Sequence, residues 1–458
     1  MTLRRVVLFW IFCGVTLSFV FALAPRTDSN VHQLYAPSKE FLLAQARGEN
    51  VQEFLLKDYF TKEGIRLDLS DSVTDYLSGK TVIVFGGGGV RSIGSEAVRQ
   101  MLRSKAKRIV VVDVNENGLY ELQARWELEE RDKTGHPELI CELTNMQDAQ
   151  QMDGVMAHYR PHIVFNFASY KSLFMGNRNP GAFVNTNIVA QWNLLKAIEK
   201  YGCERLIYMS TDKTKHPKNT YARTKKIAEY LTQLMVEKIN ASKKEKVNFC
   251  VVKSVNVLDS SGSYGPSKFI RYILSGTPIR FSSTTPIPIR WFVPIHVAAS
   301  AAIVGGNECD AEGDMFSYDS QANRPIRLDE MVKMFAKGIF SLDNAQVEGW
   351  VKQNVQFVPG HYGEQGEKEI EDLENGVNLP HLPVVRAKGR PLERPGETLM
   401  EILEQLTPLF EMANQPGHKA SLEELLAEIC ARFNPLFEWA PGLDSSHSVS
   451  DDPVAEGA

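Results

Sequence analysis

Short apolar runs rich in β-branched residues recur through the middle of the chain, each five or six residues long. They are Thr81-Val-Ile-Val-Phe85, Arg108-Ile-Val-Val-Val-Asp113, Glu138-Leu-Ile-Cys-Glu142, Ile163-Val-Phe-Asn-Phe167, Arg205-Leu-Ile-Tyr-Met-Ser210 and Asn248-Phe-Cys-Val-Val-Lys253. Between them apolar positions return at helical spacing, as in residues 95–102, 190–201 and 221–238. Strands apolar on both faces, alternating with amphipathic helices, predict the α/β class with a doubly wound parallel sheet. After Asn256 proline and glycine become frequent and the pattern loosens, which predicts a smaller irregular α/β domain over a substrate. The expected organisation is an apolar leader at 1–30 and a lead-in of short helices at 31–78. A dinucleotide-binding domain follows at 79–257, then a substrate domain with C-terminal helices at 258–435. The Ser/Asp-rich tail, 441–458, is expected to be disordered.

The leader places Arg4 and Arg5 ahead of an apolar run from Val6 to Ala24, with Pro25 behind it. It reads as a cleaved signal peptide or as a single membrane anchor. Composition narrows the rest. A hydrophobic share of 43% and a charged share of 23% are ordinary for a globular protein, and a net charge of -5 gives no footprint for nucleic acid. The cysteines (Cys13, Cys141, Cys203, Cys250, Cys309, Cys430) are scattered, so neither a disulfide framework nor a metal site is indicated.

The first run enters Gly86-Gly-Gly-Gly89-Val-Arg-Ser-Ile-Gly94-Ser95. Gly86, Gly89 and Gly94 allow a tight turn and close backbone approach to a pyrophosphate, which Ser95 and the start of the next helix would receive. Asp113 ends the second run, where a carboxylate accepts both adenosine ribose hydroxyls and favours NAD over NADP. NADP stays the alternative.

The fifth run leads into Ser210-Thr211-Asp212-Lys213, at the carboxyl end of a strand, where open α/β sheets place their chemistry. Tyr221 and Lys225 follow, four apart on a helical pattern and so on one face. An ammonium near a phenol favours the phenolate and makes it a general base, and the same lysine can hold the nicotinamide ribose.

Ser-Thr-Asp-Lys followed by Tyr-x-x-x-Lys-x-x-x-Glu resembles the polysaccharide-biosynthesis branch of the extended short-chain dehydrogenases, the UDP-N-acetylglucosamine 4,6-dehydratases, with a Rossmann sheet. The resemblance includes Asp113-Val-Asn-Glu-Asn-Gly-Leu-Tyr120, Asn166-Phe-Ala-Ser-Tyr-Lys171, Thr186-Asn187, Asn256-Val-Leu-Asp-Ser260, Arg290-Trp-Phe-Val293 and Arg394-Pro-Gly-Glu397. It implies a redox-neutral reaction on a UDP-hexose. Tyr221 takes the 4-hydroxyl proton as the C4 hydride leaves, Lys213 removes the C5 proton, Asp212 protonates the departing 6-hydroxyl, and Thr211 holds the developing oxyanion. By the same resemblance Glu142, Ala168 and Asn187 join the cofactor site, while Lys171, Asn256, Arg290, Arg394 and Glu397 contact sugar, diphosphate or uridine. Self-association is implied as well. Basic residues ahead of the leader put the amino terminus inside, yet such an enzyme belongs where NAD and UDP-sugar are supplied, so localisation stays open between a membrane-anchored and a signal-routed form.

Three features depart from the family pattern: the glycine loop, where Phe85 stands for a threonine and Val90-Arg91 lengthen the spacing to Gly94; the acidic residue expected after the third strand, represented only by Glu142; and Asn166-Phe-Ala-Ser169, which is bulky. A UDP-sugar 4-epimerase needs Tyr221 and Lys225 but no acid and base for water loss. A non-catalytic dinucleotide-binding scaffold needs neither.

Overall fold

The structure, a computed structural model, describes residues 36–46, 51–56, 74–129, 135–215, 217–258, 260, 264–283, 287, 289–311, 313–318, 324–358, 377–378, 384–388, 395–415 and 417–432. The leader and the tail lie outside them. No helix among the described residues is long and apolar enough to cross a membrane. Two compact units emerge. One takes the described residues of Met1–Lys62, Tyr264–Ile289 and Ile326–Lys368; the other takes those of Glu63–Ser263, Arg290–Pro325 and Glu369–Ala458.

The larger unit is built on a parallel sheet. Its strands β1 (Thr81–Phe85), β2 (Arg108–Asp113), β3 (Glu138–Leu143), β4 (Ile163–Asn166), β5 (Arg205–Thr211) and β6 (Asn248–Ser254) run in the order β3-β2-β1-β4-β5-β6. All neighbours among these are parallel. Asp314–Tyr318 adds a further parallel strand beside β6, and Val384–Lys388 pairs antiparallel beyond it. Strand order reverses between β1 and β4, which opens a crevice at the carboxyl ends.

Successive strand residues point to opposite faces, and both faces are buried. Ile83, Phe85, Val110, Val112, Val164 and Leu206 enter one core cluster, while Val82, Val84, Ile109, Val111, Phe165 and Ile207 enter the other. The first cluster is covered by helices Ala149–Tyr159, Ala190–Tyr201 and Thr220–Ser242, and by Leu399, Ile402, Leu406, Leu422 and Leu426 from the two C-terminal helices. The second is covered by Ile93–Met101 and by Ile295–Glu308. Ile295–Glu308 is buried without a break from Val297 to Gly306. With no polar face it carries no helical period, so the sequence pattern loses it among loops.

In the smaller unit, Leu328–Phe340 buries Met331, Val332, Phe335, Ala336 and Ile339. Asn344–Asn354 begins on a capping box in which Asp343 and Gln346 satisfy each other's backbone N–H. A short parallel pair, Ile279–Ser282 with Val355–Val358, completes its described strands.

Candidate active site

β1 runs straight into Gly86, which adopts φ +78°, a region that only glycine enters without strain. A Cβ there would fall onto the Ala168 backbone, and one at Gly94 would fall onto the Gly86 carbonyl. These positions hold glycine because three backbones meet: the turn, the helix Ile93–Met101 and the loop after β4. The helix is capped by Ser92, whose hydroxyl accepts from the Ser95 N–H at 3.0 Å while Ser95 Oγ accepts from the Ser92 N–H at 3.0 Å. Ser95, expected at a cofactor, therefore has its hydroxyl engaged in the cap. Arg91, one of the two extra loop residues, sits in left-handed backbone at φ 51°.

Asp113 lies at the end of β2, as the ribose reading requires. Its carboxylate accepts from the Gly88 N–H at 2.9 Å and the Asn115 N–H at 3.0 Å, which ties the glycine turn to β2. A carboxylate has about four acceptor sites, so two bonds leave room for sugar hydroxyls. The cradle of glycines, the helix N-terminus and this carboxylate together fit a dinucleotide. Glu142, at the end of β3, accepts a hydrogen bond from Tyr159.

The loop after β4 is held by buried amides. Ala168 N–H donates to Asn166 Oδ1 at 2.9 Å, and Asn166 Nδ2 donates to Gln191. Asn187 is 2% exposed and lies in a π-turn, Asn185–Val189. Its Oδ1 accepts from Tyr170 N–H at 2.8 Å, and its Nδ2 donates to Tyr170 O and to Thr224 Oγ1, both at 3.0 Å. Asn187 thus fixes the loop rather than offering a free amide. Lys171 Nζ lies 3.3 Å from Ser260 Oγ.

The chemistry concentrates past β5. The register pairs Phe85 with Asn166, Asn166 with Tyr208 and Thr211 with Ser254, so β1 and β4 end level while β5 and β6 run three residues further and carry Thr211 beyond them. Thr211 caps the turn Asp212–Thr214, and its hydroxyl donates to Asp212 Oδ1 at 2.9 Å. Lys213 Nζ is 3.2 Å from the same Oδ1 and 3.5 Å from Asn256 Oδ1, and Asp212 and Lys213 are both buried. Asn256 is aimed by its own donation to Trp291 O at 3.0 Å. Arg290 is buried on the strand that pairs with Asn256–Leu258.

The helix Thr220–Ser242 starts on Asn219, which accepts from the Ala222 N–H. It presents Tyr221 and Lys225 on one face, as expected, but the partners differ from expectation. Tyr221 shares a hydrogen bond with Thr211, and the cation acting on it is Lys213; burial nonetheless holds its pKa above the ordinary tyrosine value. Lys225 instead donates to Met209 O at 2.6 Å and lies 4.1 Å from the centroid of the Tyr208 ring. Burial brings the Lys225 ammonium down to about 7, with Glu229 opposing the shift. A short spacing on a helix shows that two side chains share a face; it does not show whether one long side chain reaches the other.

Tyr221, Lys225 and Glu229 stand two i+4 steps apart on one helix face, yet the residue one turn past Lys225 received no role from sequence. Glu229 is fully buried and accepts from Ser210 Oγ and, at 2.9 Å, from Thr214 Oγ1, with Lys253 Nζ 3.6 Å away. Its signal was a carboxylate on a helix face that must be buried. Arg394 lies outside the described residues, as does the side chain of Glu397.

The strand order, the glycine turn and the Tyr221–Lys225 helix are those of the extended short-chain dehydrogenase/reductase fold. Residues 82–373 match the family described as polysaccharide biosynthesis protein, and the chain belongs to that family. It is 31% identical over 267 residues to the "Probable polysaccharide biosynthesis protein EpsC" of Bacillus subtilis, covering 58% of this chain and 42% of that one. It is 27% identical over 297 residues to the "Capsular polysaccharide biosynthesis protein CapD" of Staphylococcus aureus, covering 64% and 46%. The chain thus spans less than half the length of these relatives. Among solved structures, that of Pen from Bacillus thuringiensis superposes with a TM-score of 0.52 at 20% identity, covering 63% of this chain and 83% of that one.

Proposed function

We propose that this chain is a nucleotide-sugar 4,6-dehydratase acting on a UDP-N-acetylhexosamine in polysaccharide or glycan synthesis, with NAD as its dinucleotide and NADP as the alternative. The observation that carries the reading is the buried group Thr211, Asp212 and Lys213, with Tyr221 beside it, just past the carboxyl end of β5. A bound nicotinamide dinucleotide supplies the hydride acceptor at C4 and the hydride returned to C6. Tyr221 takes the 4-hydroxyl proton, with Thr211 beside the oxygen. The resulting ketone acidifies C5–H. Transfer of one proton across the 3.2 Å contact turns the Asp212–Lys213 ion pair into a neutral acid and a neutral amine. The amine then removes the C5 proton and the acid protonates the leaving 6-hydroxyl, so water departs and the ion pair is restored; Lys213 gives the proton back to C5 as the hydride is returned to C6. In a buried site the neutral pair is accessible because it removes two desolvated charges. Asn256 and Arg290 would hold the sugar and diphosphate, a guanidinium suiting phosphate oxygens.

The test is incubation of the full chain with UDP-N-acetylglucosamine and NAD, followed by mass spectrometry. Loss of one water is the expected result. Unchanged mass with an inverted C4 centre would replace the dehydratase reading with a 4-epimerase, for which Asp212–Lys213 is superfluous. NAD binding without turnover would leave only the scaffold.

A further inference from the structure

The buried charges around β5 extend beyond the groups that the proposed reaction uses. Glu229 lies two helical turns past Tyr221 and one past Lys225, so the three share a face of Thr220–Ser242. Its Oε1 is bonded to Ser210 at the end of β5 and to Thr214 in the turn that follows. Its Oε2 faces Lys253 on β6 at 3.6 Å. One carboxylate with no solvent exposure therefore touches β5, the Asp212–Thr214 turn and β6 from the helix that carries Tyr221 and Lys225. An ionised group is not buried without partners, and here the partners are the scaffolding of the site.

We propose that Glu229 is a positioning residue: it joins the strand ends to the Tyr221–Lys225 helix and supplies the countercharge that keeps Lys225 an ammonium for the nicotinamide ribose. This rests on the dinucleotide reading above. The charged and titratable groups around Glu229 are Lys225, Tyr221 and Tyr230 on its own helix, Tyr208 from β5, Lys253 from β6 and Cys430 from the helix Lys419–Arg432. Among them burial brings Lys225 down to about 7, and Glu229 is the influence opposing that shift.

Glu229→Gln keeps the shape and a carbonyl oxygen for Ser210 and Thr214 while removing the charge. NAD is titrated into the full-length wild type and the variant by intrinsic fluorescence between pH 6 and 9. Wild-type affinity should fall as Lys225 loses its proton, and in Glu229→Gln that fall should move down by about one pH unit, roughly fivefold weaker binding at pH 7 and tenfold well above it. Lys253→Met, made independently, removes a competing cation and should move the midpoint upward; it keeps the inference testable if Glu229→Gln does not fold. A structural role alone would lower melting temperature and leave the midpoint in place, which overturns the inference while the dinucleotide reading stands. Absence of NAD binding by the wild type at every pH overturns both.

Discussion

The glycine turn after β1 and the charged pocket after β5 serve the same crevice by opposite means. The turn works through missing atoms: side chains at Gly86 or Gly94 would strike backbone, so the space is set by what is absent. The pocket works through atoms packed where charge is unwelcome, with Asp212, Lys213, Lys225, Glu229 and Lys253 each at most 8% exposed. The difference teaches which kind of site residue identity reveals. A steric requirement is met by one residue type and is visible in the letters. An electrostatic requirement is met by a network, whose wiring depends on where long side chains end.

The largest effect that separates the two halves belongs to Tyr221→Phe. Removing the hydroxyl should cut turnover by about 10²–10⁴-fold, the range for a lost general base, with NAD binding and melting temperature near wild type. Turnover within tenfold of wild type would place the base elsewhere and leave the pocket without its centre. Gly94→Ala tests the other half. Its Cβ meets the Gly86 carbonyl, so turn and helix must separate, at a cost of about 1–3 kcal/mol. Chemical denaturation and NAD titration should both report the loss, and a variant that binds NAD as wild type would show that the turn does not form the cradle.

How much was legible follows the same division. Strands β1, β2 and β4 to β6 were readable because each is a continuous apolar run buried on both faces, half-buried β3 at the sheet edge because its centre keeps a short apolar run, and Tyr221–Lys225 because one helix face carries both. Ile295–Glu308 was hidden because uniform burial erases the period that marks a helix. Asn187 and Ser95 were read as cofactor contacts, whereas their polar atoms are engaged in the Tyr170 loop and the Ser92 cap. The Ser95 cap is local, three positions from Ser92, but the Asn187 engagement is not visible in the letters, since Asn187 reaches Thr224 across 37 positions. The same holds for Lys225, whose reach to Met209 O depends on how strand and helix pack.

Lys225 gives the comparison a pH axis. Its ammonium is depressed by burial from the ordinary lysine value to about 7. Between about 7 and the ordinary value the unfolded chain holds a proton that the folded chain does not. Stability from this group therefore rises with pH through that window, and its cost is fully present below 7. Lys225→Met should raise stability at pH 6 by about 1 kcal/mol or more, the gain shrinking as pH climbs toward 10. Thermal melts at stepped pH check this. A gain that does not depend on pH would mean that burial of the charge is not what Lys225 costs the fold.

The smallest effects fall on the helix that follows the glycine turn, and they decide what its two serines do. Ser92→Ala removes the oxygen that accepts from the Ser95 N–H, so it should cost about 1 kcal/mol in denaturant melts, as lost N-caps do. Ser95→Ala removes the reciprocal acceptor for the Ser92 N–H and the donor to the Ser92 carbonyl, at a half-buried position that water can reach, and should cost less. Because the Ser95 hydroxyl already bonds the Ser92 backbone on both its N–H and its carbonyl, NAD affinity should change by no more than about twofold in Ser95→Ala. A tenfold loss of NAD affinity without loss of stability would mean that the hydroxyl leaves the cap for the pyrophosphate on binding. The glycine turn would then act through a polar group as well as through missing atoms, and the contrast with the charged pocket would narrow to one of degree.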